Sequence, residues 1–157
     1  MKITTGTGDN GTTDLYSERV DKCCDIIELL GTLDETASVI SVCRSLINDD
    51  VIEKELSDVI LTITKIASFV CKRENAPVDK EREFLEDRIS FYEKNTPEIK
   101  LFEYPSKKIS AVMDYARCVV RRTERCAARC KMDIGYLNRL SDYLFVLSRY
   151  TEYGEKI

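Results

Sequence analysis

The chain has 157 residues, a formal net charge of −4 and no histidine. That length suits one domain, which can bury about 70% of its unfolded surface without disulfides or metal. The missing histidine excludes Ser-His-Asp and Cys-His nucleophile pairs, imidazole bases and His-ligated zinc or haem, so chemistry falls to carboxylates, lysine, arginine, thiols or a bound cofactor.

The chain opens on a polar segment, residues 1–17, in which Thr5, Gly6, Thr7, Gly8, Asp9, Gly11, Thr12 and Thr13 alternate small and hydroxylated side chains. It has no apolar core of a secretory signal, so a cytoplasmic protein is expected. Glycine lets backbone N–H groups approach an anion, and threonine hydroxyls add donors. On composition alone a mobile terminal arm is the alternative reading.

From residue 18 the apolar spacing is helical, and it predicts helices over 18–47, 50–73, 77–94, 107–131 and 134–152. Ile52, Leu56, Val59, Ile63, Ile66 and Val70 form the second stripe; Ile109, Val112, Met113, Ala116, Val119, Val120 and Thr123 form the fourth; and Leu137, Leu140, Leu144 and Leu147 form the last. Asp49 or Asp50 suits the N-cap of the second helix, and Pro77 and Pro105 mark the breaks before the third and fourth. No alternation typical of strands is visible. The expected fold is all-α, a five-helix bundle in one domain over 1–157, with residues 1–17 as a loop and 18–153 as helices. The most apolar stretch, Val59 to Cys71, is short and interrupted by Lys65, so no membrane span is expected. The seven cysteines show no Cys-x-x-Cys spacing and read as reduced thiols packed as small hydrophobes, with no protein-held metal assigned. Cys23-Cys24 leaves a redox role open.

Charge concentrates in the fourth helix. Residues 117–131 hold six basic groups and one acid, a net of +5 that leaves −9 for the rest of the chain. Arg117, Arg121, Arg125 and Arg129 step by four and drift by about 40° each time, so they share one helical ridge. Guanidinium concentrated in an acidic protein points to a compact polyanion such as triphosphate. A nucleic-acid partner is not expected. A solvated ridge with intersubunit ion pairs is the alternative, and it would place more acids at i±4 than Glu124. In the last helix Asn138, Arg139 and Asp142 can form a polar patch.

Taken in order, these segments resemble the PduO-type ATP:cob(I)alamin adenosyltransferases over nearly the whole chain. Thr7-Gly8-Asp9-Asn10-Gly11-Thr12-Thr13 is similar to T-G-D-x-G-T-T, and Arg19-Val20-Asp21-Lys22 to R-V-x-K. Gly31-Thr32-Leu33-Asp34-Glu35 with Ser38 is similar to G-T-x-D-E-x-x-S. Ala116-Arg117 through Arg125 is similar to A-R-x-x-x-R-R-x-E-R, and Tyr136 to Phe145 to Y-L-N-R-L-S-D-Y-L-F.

The resemblance implies transfer of the 5′-deoxyadenosyl group of ATP to cob(I)alamin, forming adenosylcobalamin and releasing triphosphate. It implies a homotrimer with ATP between subunits. Thr5, Thr7, Gly8, Asp9, Gly11, Thr12, Thr13 and Lys22 would hold the triphosphate and its Mg²⁺, while Arg121, Glu124, Arg125 and Asn138 would complete the ATP site. Lys22, Arg121 and Arg125 would carry the catalytic charge. Asp34 would pair with Arg117, across the subunit boundary in one arrangement, and Phe102 would cover the lower face of the corrinoid. A reductase and a B12-dependent enzyme are the implied partners.

Four positions depart from the pattern. Gly6 stands where the family usually has Lys or Arg, Ala37 where it has Asn, and Asp114 near a usual histidine. Ser106-Lys107 replaces a glycine pair after Pro105, with one residue fewer. These changes keep a second reading open, a non-catalytic nucleotide- or corrinoid-binding paralogue.

Overall fold

The computed structural model describes residues 6–98 and 103–153. Two short strands, β1 (Thr12–Leu15) and β2 (Glu18–Asp21), precede five helices: α1 (Asp25–Leu46), α2 (Asp50–Val70), α3 (Asp79–Lys94), α4 (Lys108–Arg129) and α5 (Gly135–Tyr153). The five-helix expectation holds, while two of its details are corrected. Residues 18–24 do not begin the first helix, and strands are present. β1 and β2 pair antiparallel, with Thr13 opposite Val20 and Leu15 opposite Glu18. Thr12, Thr13 and Val20 are β-branched and favour this pairing, but four-residue strands are too short to stand out by alternation. Leu15 pins the hairpin to the core at 3% exposure. Tyr16 turns the chain between the strands with φ +48°.

Helix ends follow ordinary capping chemistry. Asp49 Oδ1 accepts from the amides of Val51 and Ile52 at 2.9 and 3.0 Å, so it is the N-cap expected from the sequence. α2 and α4 each end through a residue in the left-handed region, Arg73 at φ +60° and Lys131 at φ +57°. The following amides return to the helix, Glu74 N to Phe69 O and Met132 N to Ala127 O, which satisfies carbonyls otherwise left bare.

The helices pack in the order α2–α1–α4–α5–α3. α1 and α4 are bound by threonines: Thr36 Oγ1 lies 2.8 Å from Thr123 Oγ1, and Thr123 Oγ1 also lies 3.0 Å from the Thr32 carbonyl. α2 closes on α3 and α5 through long polar side chains. Buried Glu55 accepts from the hydroxyls of Tyr92 and Tyr143 at 2.9 and 2.8 Å, with Arg88 Nε 2.6 Å from its other oxygen. Burial raises both tyrosine pKa values, keeping the hydroxyls protonated as donors. All seven cysteines are free. Burial raises the Cys43 thiol to about 12, so it packs as the small hydrophobe expected, whereas Cys23 and Cys118 are exposed.

One acid fixes the start of α4. Lys107, the N-cap residue of α4, supplies no capping side chain; the Glu152 carboxylate, arriving from α5, accepts from the amides of Ser106 and Lys107 instead. The Ser106 hydroxyl donates to the same carboxylate. Burial alone would raise the Glu152 pKa, but these hydrogen bonds outweigh it and hold the group down at about 2. A depressed carboxyl stabilises the fold above its ordinary pKa of 4.5 and loses that contribution as pH falls toward 2. The stability gap between wild type and Glu152→Gln in urea titrations should therefore be about 1–2 kcal/mol at pH 7, the shift being discounted for solvent screening at the helix end. It should shrink steadily below pH 4.5.

Candidate functional site

Residues 6–11 form a coiled loop that leads into β1. Gly6 and Gly11 take φ of +71° and +82°, a region that other residues enter at a cost. Asp9 N donates to the Gly6 carbonyl and Gly11 N to the Gly8 carbonyl, each at 3.3 Å, so the loop coils on itself. Arg19 ties it to the hairpin: Nε donates to Thr12 Oγ1 at 2.9 Å, Nη1 to Asp14 Oδ1 at 2.8 Å, and Nη2 to the Thr7 carbonyl. Thr12 and Asp14 share that side of β1, so by strand alternation Thr13 shares the side of buried Leu15. Lys22 N donates to the Gly11 carbonyl at 2.9 Å, and a Cβ on Gly8 would meet Lys22 Nζ at 2.9 Å. Glycine at position 8 leaves room for the ammonium to lie against the loop. Thr5 lies outside the described residues.

A cleft of about 700 Å³ separates the hairpin from the lower end of the bundle, with Arg19, Cys24, Arg73, Arg129 and Lys131 among its walls. Two ion pairs cross its margin, Arg73 with Glu18 at 2.8 Å and Arg129 with Asp25 at 3.3 Å. These acids come from the hairpin and α1. Within the ridge, Arg129 finds its acid on α1, whereas Arg117 and Arg121 pair inside α4 itself. Arg122 pairs with Glu35 of α1, and half-buried Arg117 donates from Nε to Asp114 Oδ1 at 2.8 Å. Asp34 is exposed on α1, and within one chain Arg117 takes Asp114 rather than Asp34.

Arg121 and Arg125 are exposed on the ridge, as is Arg129, and Arg125 donates to the Arg121 carbonyl at 3.0 Å. Glu124 is buried beneath them, and Arg121 Nη1 stands 2.6 Å from its Oε2. The contact is close as an ion pair, though it is not aligned as a hydrogen bond. Asn138 Nδ2, from α5, donates weakly to Glu124 Oε1 at 3.4 Å, and Arg139 donates to Asn138 Oδ1 at 3.0 Å. Arg139 also pairs with Asp142 at 3.1 Å. The fold thus brings Arg121, Glu124, Arg125 and Asn138 together at the α4–α5 seam, as their sequence motifs imply. Gly8, Gly11, Thr12 and Lys22 form a second cluster at the hairpin. Phe102 lies outside the described residues.

The family model "Cobalamin adenosyltransferase" matches residues 3–151. The chain belongs to that family. It is 34% identical to the corrinoid adenosyltransferase of Bacillus subtilis over 95% of this chain and 86% of that protein. It is 32% identical to the human corrinoid adenosyltransferase, over 98% of this chain and 70% of that protein. Its fold matches a phenylalanine-to-histidine variant of the PduO-type ATP:corrinoid adenosyltransferase from Lactobacillus reuteri, complexed with cobalamin and ATP. That match has a TM-score of 0.89 at 25% identity and covers 96% of this chain and 91% of the other.

Sequence reasoning missed two organisers of the site. Arg19 was visible only as part of a motif, without its role in holding Thr7, Thr12 and Asp14. Asp114 stood out only as a departure from a pattern. If the loop and Lys22 form an anion cradle, Lys22→Ala should weaken tripolyphosphate binding about 5- to 30-fold by calorimetry, since it removes the ammonium that lies against the loop. A loss of one partially exposed charge-assisted contact, roughly 1–2 kcal/mol, sets that range. Unchanged affinity would remove Lys22 from the anion site.

Proposed function

We propose that this protein transfers the 5′-deoxyadenosyl group of ATP to cob(I)alamin, giving adenosylcobalamin and triphosphate. The observation that carries the reading is the exposed Arg121–Arg125 pair, ordered over buried Glu124 beside Asn138, in a chain whose folded Gly/Thr loop holds Lys22. The reaction suits a protein without histidine because it requires no protein acid or base. The reduced cobalt of the corrinoid substrate is the nucleophile at the 5′ carbon, and the C–O bond to triphosphate breaks as the C–Co bond forms. What the protein must supply is orientation and stabilisation of charge on the leaving triphosphate. Arg121, Arg125 and Lys22 supply that charge. Glu124 holds Arg121 in place, and Asn138 spans from α5 to Glu124.

Three further parts of this proposal concern assembly and partners. A homotrimer would bring the loop of one copy, with Thr5, Thr7, Gly8, Asp9, Gly11, Thr12, Thr13 and Lys22, to the arginines of the next. In support, each cluster is open to solvent, and exposed Asp34 is left for a neighbour's charge. Mg²⁺ would accompany the triphosphate, with protein cations sharing the neutralisation. Phe102 would face the corrinoid, and a reductase and a B12-dependent enzyme would supply and consume the corrinoid in the cytoplasm. No helix among the described residues is long and apolar enough to cross a membrane.

The test is anaerobic. With cob(I)alamin, ATP and Mg²⁺, wild type should develop the visible spectrum of a carbon–cobalt bond. Arg121→Ala should do so roughly 10²- to 10³-fold more slowly, the cost of removing one preorganised donor to developing charge. Equal rates would refute the assignment of Arg121. ATP binding without turnover by wild type would favour the non-catalytic paralogue, a reading that Ser106-Lys107 in place of glycines keeps in view.

A further inference from the structure

Two thiols meet where α1 begins and α4 ends. The two helices run antiparallel: Thr36 of α1 touches Thr123 of α4, Glu35 pairs with Arg122, and at the far end Asp25 pairs with Arg129 at 3.3 Å. The residue before Asp25 is Cys24, the N-cap of α1, and the residue after Arg129 is Cys130, the C-cap of α4. One ion pair therefore links the immediate neighbours of both cysteines. Cys24 and Cys130 are half-buried, and both line the cleft of about 700 Å³ under the hairpin. The Cys24 side chain makes no capping hydrogen bond to α1.

The other five thiols are placed differently. Cys43 and Cys126 are buried, Cys71 closes α2, and Cys23 and Cys118 are exposed. Burial pushes the Cys130 thiol up, with Asp25, Cys126 and Cys24 adding to the rise and Arg129 opposing it. Cys24 is thus among the groups whose charge reaches the Cys130 sulfur. A thiol held protonated is a poor nucleophile, so the pair stays reduced until an oxidant is supplied.

We propose that Cys24 and Cys130 form an oxidisable pair, which a peroxide converts to an intrachain disulfide fastening the cap of α1 to the cap of α4. Peroxide takes two electrons from one sulfur, giving a sulfenic acid and one water. The second thiol then forms the S–S bond and expels the sulfenic oxygen as a second water. Two thiols have then lost two protons and two electrons, and one peroxide has become two waters. The bridge sets a covalent bond beside an ion pair whose two side chains are each 57% exposed. It closes a loop of about 100 residues, which restricts the unfolded chain far more than the folded one. Cys24 N also donates to the Asp21 carbonyl at 3.2 Å, so the bridge holds the end of β2 along with α1. None of this depends on the adenosyl-transfer reading.

The experiment treats the full chain with hydrogen peroxide, counts free thiols in denaturant and maps unreduced peptides by mass spectrometry. Free thiols should fall from seven to five, with the chain still single on a non-reducing gel. The peptide holding Cys130 should travel bonded to the peptide holding Cys24. Cys24→Ser and Cys130→Ser should each abolish that bond. Cys23→Ser and Cys118→Ser should leave it intact, which separates Cys24 from the cysteine beside it. The unfolding midpoint of the oxidised protein should lie about 5 °C above that of the reduced protein, and dithiothreitol should reverse the rise. A bridge between Cys23 and Cys24, bridges only between chains, or sulfinic acid at the exposed thiols with no bridge would overturn the proposal. So would a Cys24–Cys130 bridge that leaves the midpoint unchanged, because the two helix ends would not then be fastened by it. Should the Cys24 or Cys130 variants fail to fold, the peptide maps of wild type and Cys23→Ser decide the same question.

Discussion

The arrangement of this protein depends on a carboxylate held out of water between two helices. Glu124 is buried at the α4–α5 seam at 8% exposure, where an unpaired charge would be costly. Its two oxygens are met by Arg121 from its own helix and Asn138 from the next. The guanidinium is thereby taken from a long, flexible stem with many rotamers to one position at the helix surface. A cation fixed in advance stabilises developing negative charge without paying for its own reorganisation at the moment of reaction. Arg125, hydrogen-bonded to the Arg121 carbonyl, extends the same charged surface by one turn. The threonine contacts between α1 and α4 keep α4 itself rigid beneath them.

The two ends of the chain contribute in different ways. At the N-terminus, glycines at +71° and +82° let a short loop fold tightly enough to rest against Lys22. Near the C-terminus, Glu152 turns the last helix into a clamp on the entry to α4. Between these extremities, α4 is both a core element and the carrier of charge. Met113, Ala116, Val120 and Ala127 bury one face, while Arg121, Arg122 and Arg125 occupy the other. Net charge is a poor guide to such a molecule, because an acidic total of −4 conceals a helix segment of +5.

Much of this was legible from residue order. Helical periodicity located all five helices, because stripes of Leu, Ile and Val at steps of three and four need many residues and few exceptions. The hairpin was not legible, since Thr12–Leu15 and Glu18–Asp21 are too short to show a period and Val20 also fits a helix. Motif order gathered Arg121, Glu124, Arg125 and Asn138, and the fold places them together. Charge counting along α4 misled in one respect: the acids that neutralise Arg122 and Arg129 are Glu35 and Asp25, which lie about 90 to 100 residues away and meet the helix only through packing. Glu152 left no local signal at all. Its partners are amides 45 and 46 residues upstream, and amides carry no sequence identity.

The most direct test of this account asks whether Arg121 and Glu124 act as one unit. Single-turnover rates of carbon–cobalt bond formation should be measured at saturating ATP for Arg121→Ala, Glu124→Gln and the double variant. If Glu124 works by holding Arg121, the double variant should be no slower than about 3-fold below the worse single variant. Losses that simply multiply, so that the double variant falls by the product of the two single effects, would contradict the claim that the buried carboxylate orders the arginine for catalysis.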